Sequence, residues 1–122
     1  MINFMIKSAK YMLFSLLVFG QPLGAAVQGA ETYLVMIHED NCPWCEAFED
    51  EVGRFYHKTL ESEKLPLKRI DYHEKMPSHW QVNGAALFTP TFIILREGVE
   101  EGRIEGYPGR ELFWWRLSEF TQ

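Results

Sequence analysis

From residue 31 onward, apolar positions fall into short blocks whose spacing changes from one block to the next. Thr32 to His38 (TYLVMIH) is a continuous apolar, β-branched-rich run and predicts a buried strand. Glu39 to Asn41 is polar, and Asn41 is placed to cap a helix beginning near Cys42, with Pro43 tolerated in its first turn. Phe48, Val52, Phe55 and Tyr56 then recur at helical spacing, while Glu46, Glu49, Asp50 and Glu51 fill the other faces. This predicts a helix from about Pro43 to about Leu60, its early acids suited to the positive end of the helix dipole. Glu61 to Pro66 reads as a charged loop, and Leu67 to Tyr72 (LKRIDY) as a second strand. Met76 to Val82 is a weaker helical segment, ended by Asn83-Gly84 and followed by a loop over Ala85 to Pro90. Thr91 to Arg96 (TFIILR) is a strong strand, turned at Glu97-Gly98 into a hairpin partner over Val99 to Glu105. Gly106 to Gly109 breaks the chain. A last helix over Glu111 to Phe120 offers Leu112, Trp115, Leu117 and Phe120 for burial. The order is βαβαββα: an α/β class, with a mixed sheet flanked by helices.

The first thirty residues follow a different logic. Met1 to Lys10 carries Lys7 and Lys10 and no acid, Tyr11 to Gly20 is unbroken apolar, and Gln21 to Ala30 holds Pro22 and then small residues. Basic, then apolar, then small is the layout of a secretory signal peptide, read here as residues 1–26, with cleavage after Ala26. The other reading is an uncleaved anchor extending back through Phe4 to Ile6. Lys7 and Lys10 interrupt it, and the apolar run falls short of the ~20 residues a spanning helix needs. The remaining domain, residues 31–122, is expected to be periplasmic, with no stable membrane insertion after cleavage. Charge supports a restricted set of partners. Without Lys7 and Lys10, 10 Lys+Arg stand against 17 Asp+Glu, and the formal charge moves from −5 to −7. Such a domain has no electrostatic case for nucleic acid or anionic membrane.

The chemistry lies in the only two cysteines, Cys42 and Cys45. Three residues apart, they close too small a loop to stabilise an exported domain much. Cys42-Pro43-Trp44-Cys45 follows a predicted strand and opens a helix, where free N–H groups and the dipole favour a thiolate on Cys42. The i, i+3 spacing lets the sulfurs bond, with Cys42 the exposed nucleophile and Cys45 the covered thiol that resolves a mixed disulfide. A zinc site would need two more ligands from His38, His57, His73 and His79. Trp44, between the cysteines and facing outward, is suited to gripping a partner.

Three motifs in this order resemble the thioredoxin superfamily: Cys42-Pro43-Trp44-Cys45, Phe88-Thr89-Pro90-Thr91 before the strong strand, and Glu105-Gly106-Tyr107 before the last helix. The resemblance covers roughly residues 31–120. It implies a thioredoxin-like fold, a cis-proline at Pro90 opposite the disulfide, Thr89 receiving the substrate backbone, and Gly106 as the third wall of the groove. More narrowly, the chain is similar to the small exported SoxS-type thioredoxins of bacterial sulfur-oxidation systems. The residues behind this are Glu51 to Gly53, Thr89 to Phe92, and Gly102 to Gly109 (GRIEGYPG). That likeness implies no cofactor, a protein disulfide substrate among sulfur-oxidation components, and a membrane thiol transporter as electron donor. One departure stands out: Met36 occupies the place where thioredoxins usually carry a buried Asp that manages the second thiol's proton. His38 and Glu39 are near in sequence. Trp44 adds no positive charge beside Cys42, and Glu39, Asp40 and Glu46 add negative charge, which leans the pair toward a reductant. A dithiol oxidase or isomerase, or a non-enzymatic binding module on the same scaffold, would share these residues.

Overall fold

The structure, a computed structural model, describes residues 31–122, so the segment read as a signal peptide lies outside the described residues. Four strands, β1 (Tyr33–His38), β2 (Leu67–Asp71), β3 (Thr91–Arg96) and β4 (Val99–Glu105), form one mixed sheet in the order β2-β1-β3-β4. β1 and β2 are parallel, with Met36 opposite Arg69; β1 and β3 are antiparallel, with Met36 opposite Phe92. The two central strands are buried on both faces, which is why they read as unbroken apolar runs. Leu34, Met36, Phe92 and Ile94 enter one core, and Val35, Ile37, Ile93 and Leu95 enter another on the opposite face. The β3–β4 turn puts Glu97 at φ 53° and Gly98 at φ 76°, the left-handed pair that a two-residue hairpin of right-handed twist needs.

Helical backbone runs from Pro43 to Tyr56, in three parts: α1 (Pro43–Phe48), a π-helical segment (Glu49–Gly53) and α2 (Arg54–Tyr56). The π turn advances less per residue than an α turn, so Phe48, Val52 and Tyr56 stay in line on the core while Phe55 turns outward. Phe55 was expected on the buried face and is 50 % exposed. The helix also stops at Tyr56 rather than near Leu60. Thr59 is extended (φ −96°, ψ 158°) and its Oγ accepts the N–H of Ser62, starting a separate helix α3 (Leu60–Lys64) where a loop was expected.

The last helix, α4 (Arg110–Thr121), buries Phe113 and Leu117, with Trp114 and Phe120 packed against the same core; Leu112 and Trp115 are exposed. The expected face was therefore wrong by its first turn. Phe113 is drawn in because it completes an aromatic cluster, its ring 5.2 Å from Phe48 and 4.9 Å from Phe92. Phe120 packs closely on β4 at Gly102, where an added Cβ would stand 2.6 Å from the ring.

Between β2 and β3 no helix forms over Met76 to Val82, another departure from expectation. Pro77 supplies no N–H, and Gln81 spends its backbone groups on β4, its N–H bonding Gly98 O (2.8 Å) and its carbonyl accepting from Glu100 N (2.8 Å). The segment instead lays Trp80 and Ala86, with Met76 and Val82, over the second core. An apolar hollow of 330 Å³ remains between Ile37, Ile70, Met76 and Val82. Among the described residues no helix is long and apolar enough to cross a membrane.

Candidate active site

After β1 the chain reverses through Asn41, whose φ of 59° is a left-handed conformation that asparagine tolerates. This moves the cap one residue on. Cys42, not Asn41, is the N-cap (φ −99°, ψ 104°), and its Sγ accepts the N–H of Cys45 at 3.2 Å. Pro43 takes the first helical position, where its missing N–H costs nothing. Cys42 and Cys45 are joined by a disulfide, their Cα atoms 5.2 Å apart, the separation that one helical turn provides. In this oxidised state both cysteines are buried as whole residues, at 8 % and 6 % exposed. Trp44, between the two cysteines in sequence, is 64 % exposed.

Facing the disulfide is the segment before β3. The Thr89–Pro90 bond is cis, and the Thr89 carbonyl oxygen lies 3.5 Å from Cys42 Sγ. Two hydrogen bonds fix this segment: Thr91 Oγ donates to Phe88 O at 2.6 Å, and Gly106 N donates to Pro90 O at 2.8 Å. Gly106 sits at φ 75°, which a side chain would resist. Trp44, Thr89 and Gly106 thus line one cleft of 430 Å³, together with Phe88, Glu105, Tyr107 and Pro108. Pro90 is buried behind it. Phe88 and Tyr107 stood inside the quoted motifs, but the sequence reading gave neither a role. Phe88 had a visible signal, since Leu87-Phe88 is a large apolar pair in a segment read as loop, and both side chains are exposed. Tyr107 had none: its hydroxyl donates to a Glu51 carboxylate from another element, and burial first, then that bond, push its phenol upward.

On the other side of the disulfide a second cleft of 420 Å³ reaches both cysteines past Met36, His38 and Asn41, and is edged by Glu39, Asp40, Glu46, Glu49 and Asp50. Met36 is 1 % exposed and belongs to the same core cluster as the two cysteines. Three of the acids are partnered: Glu39 with His73 Nε2 (3.0 Å), Asp50 with Arg54 (2.5 Å), and Glu49 with Arg69 through bonds of 2.6 and 2.8 Å. Glu49 reaches Arg69 across Gly53, where an added Cβ would collide with its carboxylate. Its hydrogen bond holds the Arg69 guanidinium above its ordinary value. The histidines do not gather. His73 and His79 pair with separate glutamates, Glu39 and Glu31, and only His38 borders the cysteines. Among the described residues no three His, Cys, Asp or Glu side chains come together as a metal site.

The arrangement can form and break a disulfide at the mouth of an apolar groove. Among solved structures the chain is similar to the periplasmic thioredoxin SoxS from Paracoccus pantotrophus in its reduced form. The two share 32 % identity at a TM-score of 0.70, over 73 % of this chain and 94 % of that one. No family model and no curated protein matches the chain.

Proposed function

Because this chain belongs to the thioredoxin family, as a thiol–disulfide oxidoreductase related to periplasmic SoxS, we propose that it is an exported reductant that keeps a partner protein's thiol reduced. The observation that carries the reading is the placement of Cys42. It caps a helix, receives the Cys45 N–H, and lies 3.5 Å from the Thr89 carbonyl at the mouth of the Trp44–Phe88 groove.

In the reduced protein, the N–H aimed at Cys42 Sγ stabilises negative charge there. The Cys42 thiolate attacks one sulfur of the partner's disulfide; the other sulfur leaves as a thiolate and takes up a proton. The partner chain lies in the groove, with Trp44 and Phe88 covering the sulfurs, Thr89 meeting its backbone, and Pro90 and Gly106 shaping the floor and third wall. Cys45 then gives up its proton and attacks Cys42 Sγ. This forms the Cys42–Cys45 bond and releases the partner's second thiolate. Two electrons pass from the dithiol to the partner, and a membrane thiol transporter restores the dithiol. Direction follows from electrostatics: Asp40 and Glu46 are exposed acids near Cys42, with no ion-pair partner among the described residues, and they disfavour the thiolate that would make the protein oxidising. By its likeness to SoxS, the partner is a component of sulfur (thiosulfate) oxidation.

Trapping tests this reading. Cys45→Ser should accumulate a mixed disulfide with the periplasmic partner, cleavable by dithiothreitol, and Cys42→Ser should capture almost nothing. Equal trapping by both variants would overturn the assignment of roles. A reduction potential near that of strong dithiol oxidants, measured against glutathione, would overturn the direction.

A further inference from the structure

The segment that carries Phe88 and Thr89 is fixed on its β3 side by the Thr91 and Gly106 bonds, and the chain that leads into it is held by an ion pair on β4. Glu100 and Arg103 lie in the sheet but reach beyond its edge. The Glu100 side chain is 2 % exposed and that of Arg103 is 16 % exposed. The Arg103 guanidinium donates to both Glu100 oxygens, from Nε at 2.6 Å and from Nη2 at 2.8 Å. Its remaining reach goes to three successive backbone carbonyls: Asn83 and Gly84 at 3.2 Å each, and Ala85 at 3.3 Å. Glu100 completes the clasp by accepting the Asn83 N–H at 2.6 Å.

The position of this clasp gives it consequence. Asn83, Gly84 and Ala85 are exposed, and Gly84 is at φ 84°, so neither packing nor regular structure fixes them. Ala86 is then anchored in the second core, and two residues on, Phe88 and Thr89 line the groove. Beyond them the chain is fixed again, by Thr91 Oγ on Phe88 O and by the start of β3. The groove wall is therefore a short span stretched between two fixed points, the clasp with Ala86 on one side and the Thr91 bond with β3 on the other.

We propose that Arg103 and Glu100 are positioning residues that hold the Phe88–Thr89 wall of the groove ready for a protein substrate, a role that rests on the groove's reading as the partner site. A buried ion pair adds little net stability over an apolar pair of equal volume, so stability alone gives this pair weak reason to exist. Arginine's planar fork, with five donors, is what allows one side chain to serve a carboxylate and three carbonyls together; lysine offers a point charge and cannot. Neither residue touches the sulfurs, so the clasp acts on how a large substrate is seated and leaves the sulfur chemistry alone.

The experiment compares two disulfides as oxidants of the reduced protein: insulin, which must occupy the groove, and dithiobis(nitrobenzoate), which needs only the sulfur. Misplacement by about 1 Å costs up to ~100-fold in rate, so Arg103→Lys should slow the reaction with insulin roughly ten- to a hundredfold. Its reaction with dithiobis(nitrobenzoate) and its potential against glutathione should match the wild type. Glu100→Gln, which retains an acceptor for Arg103, should show a smaller loss confined to insulin, and it carries the test if Arg103→Lys fails to fold. An unchanged insulin rate, or an equal loss on both disulfides, would overturn the proposal. A wild-type protein that reacts with dithiobis(nitrobenzoate) but not with insulin would instead overturn the reading of the groove, and the clasp's role with it.

Discussion

Replacing Phe48 and Phe55 separately by alanine tests how the active-site helix is seated. In a continuous α-helix the two rings, seven residues apart, would share one face with Val52. With the π-helical segment between them, Phe48 is fully buried and Phe55 half exposed. Phe48 contacts Phe92, Tyr107 and Phe113, with ring centroids at 4.6, 5.6 and 5.2 Å. Truncating a buried Phe costs ~3–5 kcal/mol. Three tilted or edge-on aromatic contacts, worth ~0.5–1.5 kcal/mol each beyond buried area, place Phe48→Ala at the upper end. Phe55 forfeits about half of the ~1.5–3 kcal/mol that full burial of such a side chain is worth, plus a weak contact with the Arg54 guanidinium 5.7 Å from its ring. Phe55→Ala should therefore cost ~1 kcal/mol. Urea unfolding of the oxidised protein, followed by circular dichroism, reads both. For a slope of ~1–3 kcal/mol/M, Phe48→Ala should lower the midpoint by more than ~1 M, several times the effect of Phe55→Ala. Losses within ~1 kcal/mol of each other would refute the seating described here and restore a regular helix.

Trp44→Ala should leave thermal stability within ~0.5 kcal/mol, because the ring is mostly in solvent, and yet slow the reduction of insulin; an unchanged insulin rate would remove Trp44 from the groove. Tyr56→Phe should cost ~1–3 kcal/mol by leaving the buried Leu65 carbonyl without the hydroxyl that donates to it at 2.7 Å. Burial first, and the nearby Glu61 charge second, raise the Tyr56 phenol, so its contribution is whole below the ordinary tyrosine range of ~10 and is lost as pH rises above it. Wild type should thus lose stability in alkali more steeply than Tyr56→Phe. Glu100 behaves oppositely. Burial alone would raise its carboxyl, but the bonds from Arg103 and Asn83 and the Arg103 charge outweigh it and leave it lowered. Its contribution holds above the ordinary carboxylate range and disappears as pH falls through the lowered folded value, so Glu100→Gln should flatten the acid limb of a stability–pH curve. Met36→Asp should destabilise by at least ~2 kcal/mol, through lost packing and a buried carboxyl without a partner, while making release of the mixed disulfide faster at neutral pH.

Much of this site was legible because its parts are local. The Cys42-Pro43-Trp44-Cys45 turn depends on a cap, a proline tolerated at the first position and a three-residue spacing, all of them properties of neighbours in sequence. β1, β3 and the Glu97-Gly98 turn were readable for the same reason. The cap at Cys42 and the Thr59-capped helix are local misreadings; the other errors fall where a distant residue decides. Phe55 faces outward because of a π turn whose Gly53 lies under Glu49 as that side chain reaches for Arg69 on β2. Phe113 replaces Leu112 and Trp115 in the core because Phe48 and Phe92 wait there. Residues 76–82 hold enough apolar positions for a helix, but the free edge of β4 competes for the backbone of Gln81 and wins. The bonds that tie Asn83, Gly84 and Ala85 to Arg103 and Glu100 could not be read from sequence, since the partners lie on β4, some twenty residues on.

Met36 joins these observations to the direction of electron flow. A buried acid beneath the second cysteine would serve as a proton acceptor held out of water, and holding it there would require desolvating a charge. This protein puts an apolar side chain in that place and sets its acids along an open cleft beside both sulfurs instead. In the proposed mechanism the Cys45 proton leaves through that cleft, where water and carboxylates can take it. The same acids act on the reduced state. Their negative potential, with no cationic residue between the cysteines, opposes thiolate at Cys42, while Met36 offers Cys45 no polar contact from below. Under the proposed function, both effects disfavour the thiolate and favour the disulfide. A dithiol whose disulfide is favoured gives up its electrons readily, so in the proposed function the apolar Met36 and the acids of the cleft act in the same direction, toward reduction of a partner.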